Sequence, residues 1–128
     1  MKILHSADLH LDTPFTGKTK EQAQFLRQAL LEVPGKLAEL CKKEGCDLML
    51  LCGDLFDGHW TKESFYALSH ALADVGVPVF ISPGNHDFCG GDSPYLQEIF
   101  PSNVHIFTKP VMEAVTIKAL DCRVYGAG

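Results

Sequence analysis

Between Leu48 and Cys52 the sequence CDLMLLCGD (Cys46–Asp54) runs without a polar residue and then stops at Gly53-Asp54. So continuous an apolar run fits a strand covered on both faces, and such strands belong to sheets with helices packed against them. The flanking segments agree. Lys2–Ala7 and VPVFIS (Val77–Ser82) read as further strands. From Glu21 to Lys43 apolar residues recur at Ala23, Leu26, Leu30, Val33, Leu37 and Leu40, a helical spacing. Pro34-Gly35 interrupts it and predicts a kink or two consecutive helices. Thr61 can cap a helix running to about Val75, with Phe65, Leu68 and Leu72 as its stripe and Gly76 as its stop.

A short helix near Pro94–Phe100, the strand VHIF (Val104–Phe107) and strand-like runs around Val115–Leu120 and Cys122–Tyr125 complete the reading. Strand, helix, strand, helix, strand at this spacing implies βαβ units with parallel pairing. The later strands leave no room for helices between them and are expected to be antiparallel or meander-like. The expected class is α/β with a mixed sheet.

At 128 residues the chain has the length of one domain. Its 46% hydrophobic and 21% charged residues are ordinary for a globular protein. No segment approaches the roughly 18 apolar residues of a membrane span, and MKILHSADLH has no signal-peptide core. Cys41, Cys46, Cys52, Cys89 and Cys122 are odd in number and form no C-x-x-C pair, which favours buried, reduced thiols and a cytoplasmic setting. The net charge of −5, with no basic cluster beyond Lys42-Lys43, argues against a basic nucleic-acid-binding face. A bound pair of divalent ions would add about +4 locally and could attract phosphate regardless.

Each of the three N-terminal strands is followed by a polar group: Asp8 and His10 in ADLH, Asp54 and Asp57 in GDLFDG, and Asn85, His86 and Asp87 in GNHD. Open α/β sheets bind ligands outside the carboxyl ends of their strands. Asp8 and His10, two apart on an extended stretch, face the same side. Turn roles could account for each group alone: a capping Asp8 beside a solvent-facing His10, a turn at Asp54, an Asn85 with positive φ. They do not account for all three meeting on one rim. Mixed Asp, His and Asn ligation suits manganese, iron or zinc ions rather than a thiolate-bound structural zinc. One Asp can bridge two ions about 3.5–4 Å apart, the arrangement that clamps the attacking and leaving oxygens of an in-line displacement at phosphorus.

In this order, D-x-H, G-D-x-x-D and G-N-H-D resemble the calcineurin-like metallophosphoesterase superfamily. HSADLHLD and GDLFD look like its bacterial DNA-repair exonucleases of the SbcD type, and the resemblance runs from Lys2 to about Tyr125. It implies a sandwich of β-sheets flanked by helices and a dinuclear centre, most typically Mn2+, with Fe2+ or Zn2+ as alternatives. Asp8 and His10 would bind the first metal, Asp54 both, and Asn85 the second. His86 would face the scissile phosphate as the catalytic acid, oriented by Asp57. Asp87 reads as a loop stabiliser and Asp12 as a loop cap. His59 and Trp60 lie near the rim and could touch substrate. His5, His70 and His105 read as structural, and Cys52 and Cys89 as packing residues.

Superfamily members continue after GNHD with G-H and G-H-x-H motifs carrying further metal-binding histidines, and neither motif follows GNHD here. By the resemblance the first metal lacks one histidine, and the second keeps only Asp54 and Asn85. The expectation is therefore the N-terminal portion of a metallophosphoesterase domain, with exposed apolar surface and a tendency to self-associate. The expected function is DNA exo- or endonuclease, with DNA as substrate and an SMC-like ATPase as the partner that the resemblance implies. The alternatives are a phosphatase or small-molecule phosphodiesterase on the same site, or a catalytically silent module that binds metal weakly.

Overall fold

The computed structural model describes residues 1–128. Its centre is a sheet of four parallel strands in spatial order β1-β2-β3-β4: β1 (Ile3–Ser6), β2 (Leu48–Cys52), β3 (Val79–Ser82) and β4 (Val104–Ile106). The last two strands, β5 (Glu113–Ile117) and β6 (Cys122–Gly126), form a separate antiparallel pair. The expected single mixed sheet is thus two sheets. The antiparallel expectation holds for β5 and β6 but not for β4, because residues 83–103, with a short helix α4 (Pro94–Gln97), provide the crossover that parallel pairing needs.

Strand alternation divides the core. Leu4, Met49, Leu51, Val79 and Ile81 face one side, where they meet Cys41 of α2 (Val33–Lys43) and Leu68, Leu72 and Val75 of α3 (Lys62–Val75). Leu48 and Phe80 face the other, where they join Phe107 beneath Val115, Ile117 and Val124 of the hairpin. A layer of helices, the parallel sheet and the hairpin make an α/β sandwich. On β1 the hairpin-side residues Ile3 and His5 remain exposed, and Met1 and Phe25 add to the exposed apolar surface.

The Glu21–Lys43 periodicity resolves into two helices, α1 (Lys20–Leu31) and α2, separated at Glu32. Pro34 stands in the first turn of α2, where its missing N–H costs nothing; within a continuous helix its ring would clash with the preceding turn. The break resets the helical phase. Pro34, Ala38 and Cys41 carry the buried face, and Leu40, expected inside, is 46% exposed. α3 matches its expected bounds, with Thr61 and Ser64 forming a capping box and Gly76 ending it at φ 71°. All five cysteines are free, but only Cys41 is fully buried and Cys52 is exposed, which corrects the expectation of buried thiols.

Candidate metal centre

The loops leaving β1, β2 and β3 meet at the carboxyl end of the sheet. The chain after β1 keeps hydrogen-bonding to the chain after β2: Asp8 N donates to Gly53 O at 3.0 Å, His10 N to Asp54 O at 2.9 Å and Leu11 N to Leu55 O at 2.8 Å. Asp57 N returns a bond to Leu11 O at 2.8 Å. This lacing does not leave the strand extended, as expected for Asp8 and His10. Asp8 (φ 55°), His10 (φ 50°), Asp12 (φ 67°) and Asp54 (φ 51°) are all left-handed. Outside glycine that conformation is tolerated mainly by Asp and Asn, and it gathers where a surrounding structure enforces it for function.

Asp8 and His10 do converge, together with Asp54. His10 Nε2 lies 3.8 Å from Asp8 Oδ1 and 3.9 Å from Asp54 Oδ2. On its other nitrogen, His10 Nδ1 is hydrogen-bonded to Asp57 Oδ1 at 2.8 Å. The same Asp57 oxygen is 3.4 Å from His86 Nδ1, and the two imidazoles meet edge to face with centroids 5.2 Å apart. Asp57 therefore stands between two histidines and serves His10 more closely than His86. Two groups of donors result, Asp8–His10–Asp54 and His10–Asp57–His86, each with its ligating atoms within 4.8 Å of one another.

The charges are set by this contact. The hydrogen bond to Asp57 raises the His10 pKa above its ordinary value; burial opposes the rise, and Asp57, Asp54 and Asp8 add to it through their charges. Reciprocally, hydrogen bonds from His10 and then Thr13 lower the Asp57 pKa. Asp57 thus accepts from His10 at Nδ1, and Nε2 is the ring nitrogen that faces Asp8 and Asp54.

The donor set fits a divalent ion. An imidazole fixed by a carboxylate on one nitrogen and offering the other is the carboxylate–histidine–metal arrangement. Donor separations of 3.8 and 3.9 Å are too long for hydrogen bonds; they are a few tenths of an ångström wider than the roughly 3.4 Å edge of a tetrahedral site with bonds of about 2.1 Å.

The third loop is held by Asp87, and here the structure exceeds what the sequence signalled. Asp87 is 6% exposed. Its Oδ1 accepts from Gly84 N at 2.6 Å and Asp54 N at 3.1 Å, and its Oδ2 from Leu55 N at 2.7 Å, Phe56 N at 3.3 Å and the Tyr95 hydroxyl. Burial drives the Tyr95 pKa far upward, so the hydroxyl remains a donor. Tyr95 could not be singled out in advance, because a tyrosine in an apolar stretch gives no sign of its partner. Gly84 has no positive φ; it is glycine because a Cβ there would sit 2.2 Å from Asp54 Oδ1 and 2.6 Å from Asp54 N. Asp54 Oδ1 in turn accepts from His86 N at 2.8 Å.

Asn85, between these contacts, is exposed and lacks the positive φ that the turn reading would give it. Asp12 acts as a cap, though of α3 rather than of its own loop: it accepts from Thr61 N at 2.9 Å and from the Ser64 hydroxyl. His5, His70 and His105 stay away from the rim. His70 stacks on Tyr66, and His105 packs between Phe80 and Phe107.

The calcineurin-like phosphoesterase family profile matches residues 1–126. The chain belongs to the calcineurin-like phosphoesterases. Among similar proteins, the uncharacterized metallophosphoesterase YhaO of Bacillus subtilis (strain 168) is 31% identical over 120 residues, covering 88% of this chain and 29% of its own length. The SbcD component of the nuclease SbcCD from the same organism is 30% identical over 128 residues, covering 92% of this chain and 30% of its own length. A UDP-2,3-diacylglucosamine hydrolase of Xanthomonas axonopodis pv. citri (strain 306) is 34% identical over 101 residues, 73% of this chain and 35% of its own. The phosphoesterase chain thus spans about a third of the length of these relatives. No helix in it is long and apolar enough to cross a membrane.

Proposed function

We propose that this phosphoesterase chain carries part of a two-metal site for hydrolysing phosphodiesters, with DNA as the substrate. The observation that carries the reading is the convergence of Asp8, His10 and Asp54, with His10 Nδ1 held by Asp57 at 2.8 Å. Asp8, His10 and Asp54 would hold one divalent ion, and Asp54 with Asn85 would contribute to a second. Such ions, Mn2+ in the first instance, supply Lewis acidity toward a phosphoryl oxygen and lower the pKa of water.

The chain's own residues do the rest. Asp57 fixes the His10 tautomer. His86 turns Nδ1 toward Asp57, which leaves its Nε2 for substrate, and its exposed ring can reach the phosphate. There it donates a proton to the departing oxygen. Asp87 and Gly84 keep His86 and Asp54 in register without touching substrate.

Similarity to the SbcD component of a nuclease supports DNA as the substrate. That relative is one subunit of a nuclease, and the SbcD-like motifs imply an SMC-like ATPase as a second protein beside this chain. Similarity to UDP-2,3-diacylglucosamine hydrolases favours a second reading, hydrolysis of a small nucleotide-linked phosphoester at the same site. Incubation with Mn2+ and either linear DNA or a UDP-linked pyrophosphate separates them. Loss of DNA that disappears in Asp54→Ala supports the nuclease; cleavage of only the UDP compound supports the second reading. Hydrolysis unchanged in Asp54→Ala would place the chemistry elsewhere.

A further inference from the structure

Beside His86 lies a cleft of about 230 Å³ that His10 does not line. Its walls include Phe56, His59, Trp60, His86, Phe88 and Pro94, and Gly90 and Gly91 lie beneath. Two features give it a defined shape. The Trp60 indole is fixed at both ends: its Nε1 donates to Asp92 O at 2.7 Å, and its ring meets Phe65 edge to face at 6.3 Å. The Phe88 ring lies against the backbone of Gly90, where a Cβ would come within 2.7 Å of it. Yet Phe88 is 67% exposed, so its other surface is open.

An aromatic side chain held against a backbone, with a second aromatic side chain lining the same cleft, is suited to a planar ring system, because every nucleobase offers a π-face to stack on. The lining charges do not favour a phosphate in the same space. Asp87 and Asp92 line the cleft, its only ionisable nitrogens are those of His59 and His86, and the Lys62 ammonium lies over the Trp60 ring at 5.6 Å. The phosphate belongs instead at the donor rim, which His86 shares with the cleft. A cleft below the roughly 300 Å³ of ordinary small-molecule pockets has room for one base rather than for a duplex.

We propose that this cleft binds the nucleobase of the nucleotide whose phosphate lies at the metal rim, with Phe88 as the stacking residue and Trp60 as the fixed wall. The proposal rests on the phosphoesterase reading and adds to it a single-nucleotide recognition site. DNA held here is unstacked at its end, and a UDP-linked substrate would present its uracil in the same way.

Trp60 is the chain's single tryptophan and therefore reports on the cleft directly. The Mn2+-loaded protein is titrated with thymidine 5′-monophosphate and with 2-deoxyribose 5-phosphate, which lacks only the base, while Trp60 emission is followed and affinity is measured by calorimetry. The nucleotide is expected to quench Trp60 and to bind roughly tenfold more tightly than the abasic sugar phosphate, the scale of one base–aromatic stack. In Phe88→Ala, an exposed position where folding is not at stake, this advantage is expected to disappear while abasic binding is unchanged. Equal affinities in the wild-type protein, or an advantage that survives Phe88→Ala, would overturn the proposal and leave the phosphoesterase reading intact. Failure of Mn2+ itself to bind would remove both.

Discussion

The rim and the β5–β6 hairpin meet the same difficulty, a side chain so close to the backbone that no Cβ fits between, and both resolve it with glycine. At Gly84 the close neighbour is the Asp54 carboxylate; at Gly126 it is the ring of Phe107, which a Cβ would approach to 2.2 Å. The hairpin otherwise follows local preferences. Its strands alternate between half-buried and exposed residues, and its one left-handed non-glycine residue, Asp121, stands in the turn after Leu120. The rim departs from them, with four left-handed non-glycine residues and the buried carboxylates of Asp54 and Asp87. Where backbone strain serves only connection it is confined to a turn. Where it serves chemistry it spreads over the loops after β1 and β2, which bring Asp8, His10 and Asp54.

Asp87→Ala is expected to have the largest effect. Four backbone N–H groups and the Tyr95 hydroxyl lose their acceptor in a buried setting. At about 1–3 kcal/mol for each unsatisfied group, less what water recovers, the loss should reach at least about 3 kcal/mol in urea unfolding. A smaller loss would mean that the rim is held by its backbone rungs alone.

The two glycines sharpen the contrast. Gly84→Ala and Gly126→Ala should each lower stability by roughly 1–3 kcal/mol, the cost of forcing atoms into a filled space. Only Gly84→Ala should also weaken Mn2+ binding, because only there does the added methyl displace a donor. Equal metal affinity in the two variants would refute the separation of rim from hairpin. Asp57→Ala should leave the fold in place and reduce Mn2+ affinity roughly 10- to 100-fold, as expected for removing the carboxylate behind a ligating histidine; unchanged affinity would show that His10 needs no orientation. Val115→Ala, a half-buried change on the hairpin, should cost only about 1 kcal/mol and leave the metal affinity as it was.

The contrast also explains what could be read from the sequence. Elements governed by periodicity and capping were legible: the apolar run of β2, α3 between Thr61 and Gly76, and the separation of α1 from α2 by Pro34. The donors were legible because Asp, His and Asn stood after strands. What holds them was less so. Asp87 could be set down as a stabiliser, but three of its partners lie about thirty residues upstream on backbone atoms that no side-chain pattern reveals. Asp57 was expected to serve His86, and it lies closer to His10 because the lacing of residues 8–11 onto 53–57 brings His10 inward. The parallel pairing of β4 was hidden for a related reason, since its crossover is mostly irregular chain.

Calorimetric titration of the metal-free protein with Mn2+, beside Asp54→Asn, tests the central claim most directly. The wild-type protein should bind the ion, and Asp54→Asn, which keeps the size of the side chain and removes its charge, should weaken binding at least about tenfold, the equivalent of roughly 1.4 kcal/mol. No binding by the wild-type protein, or the same affinity in both, would contradict the assignment of this rim as a metal centre.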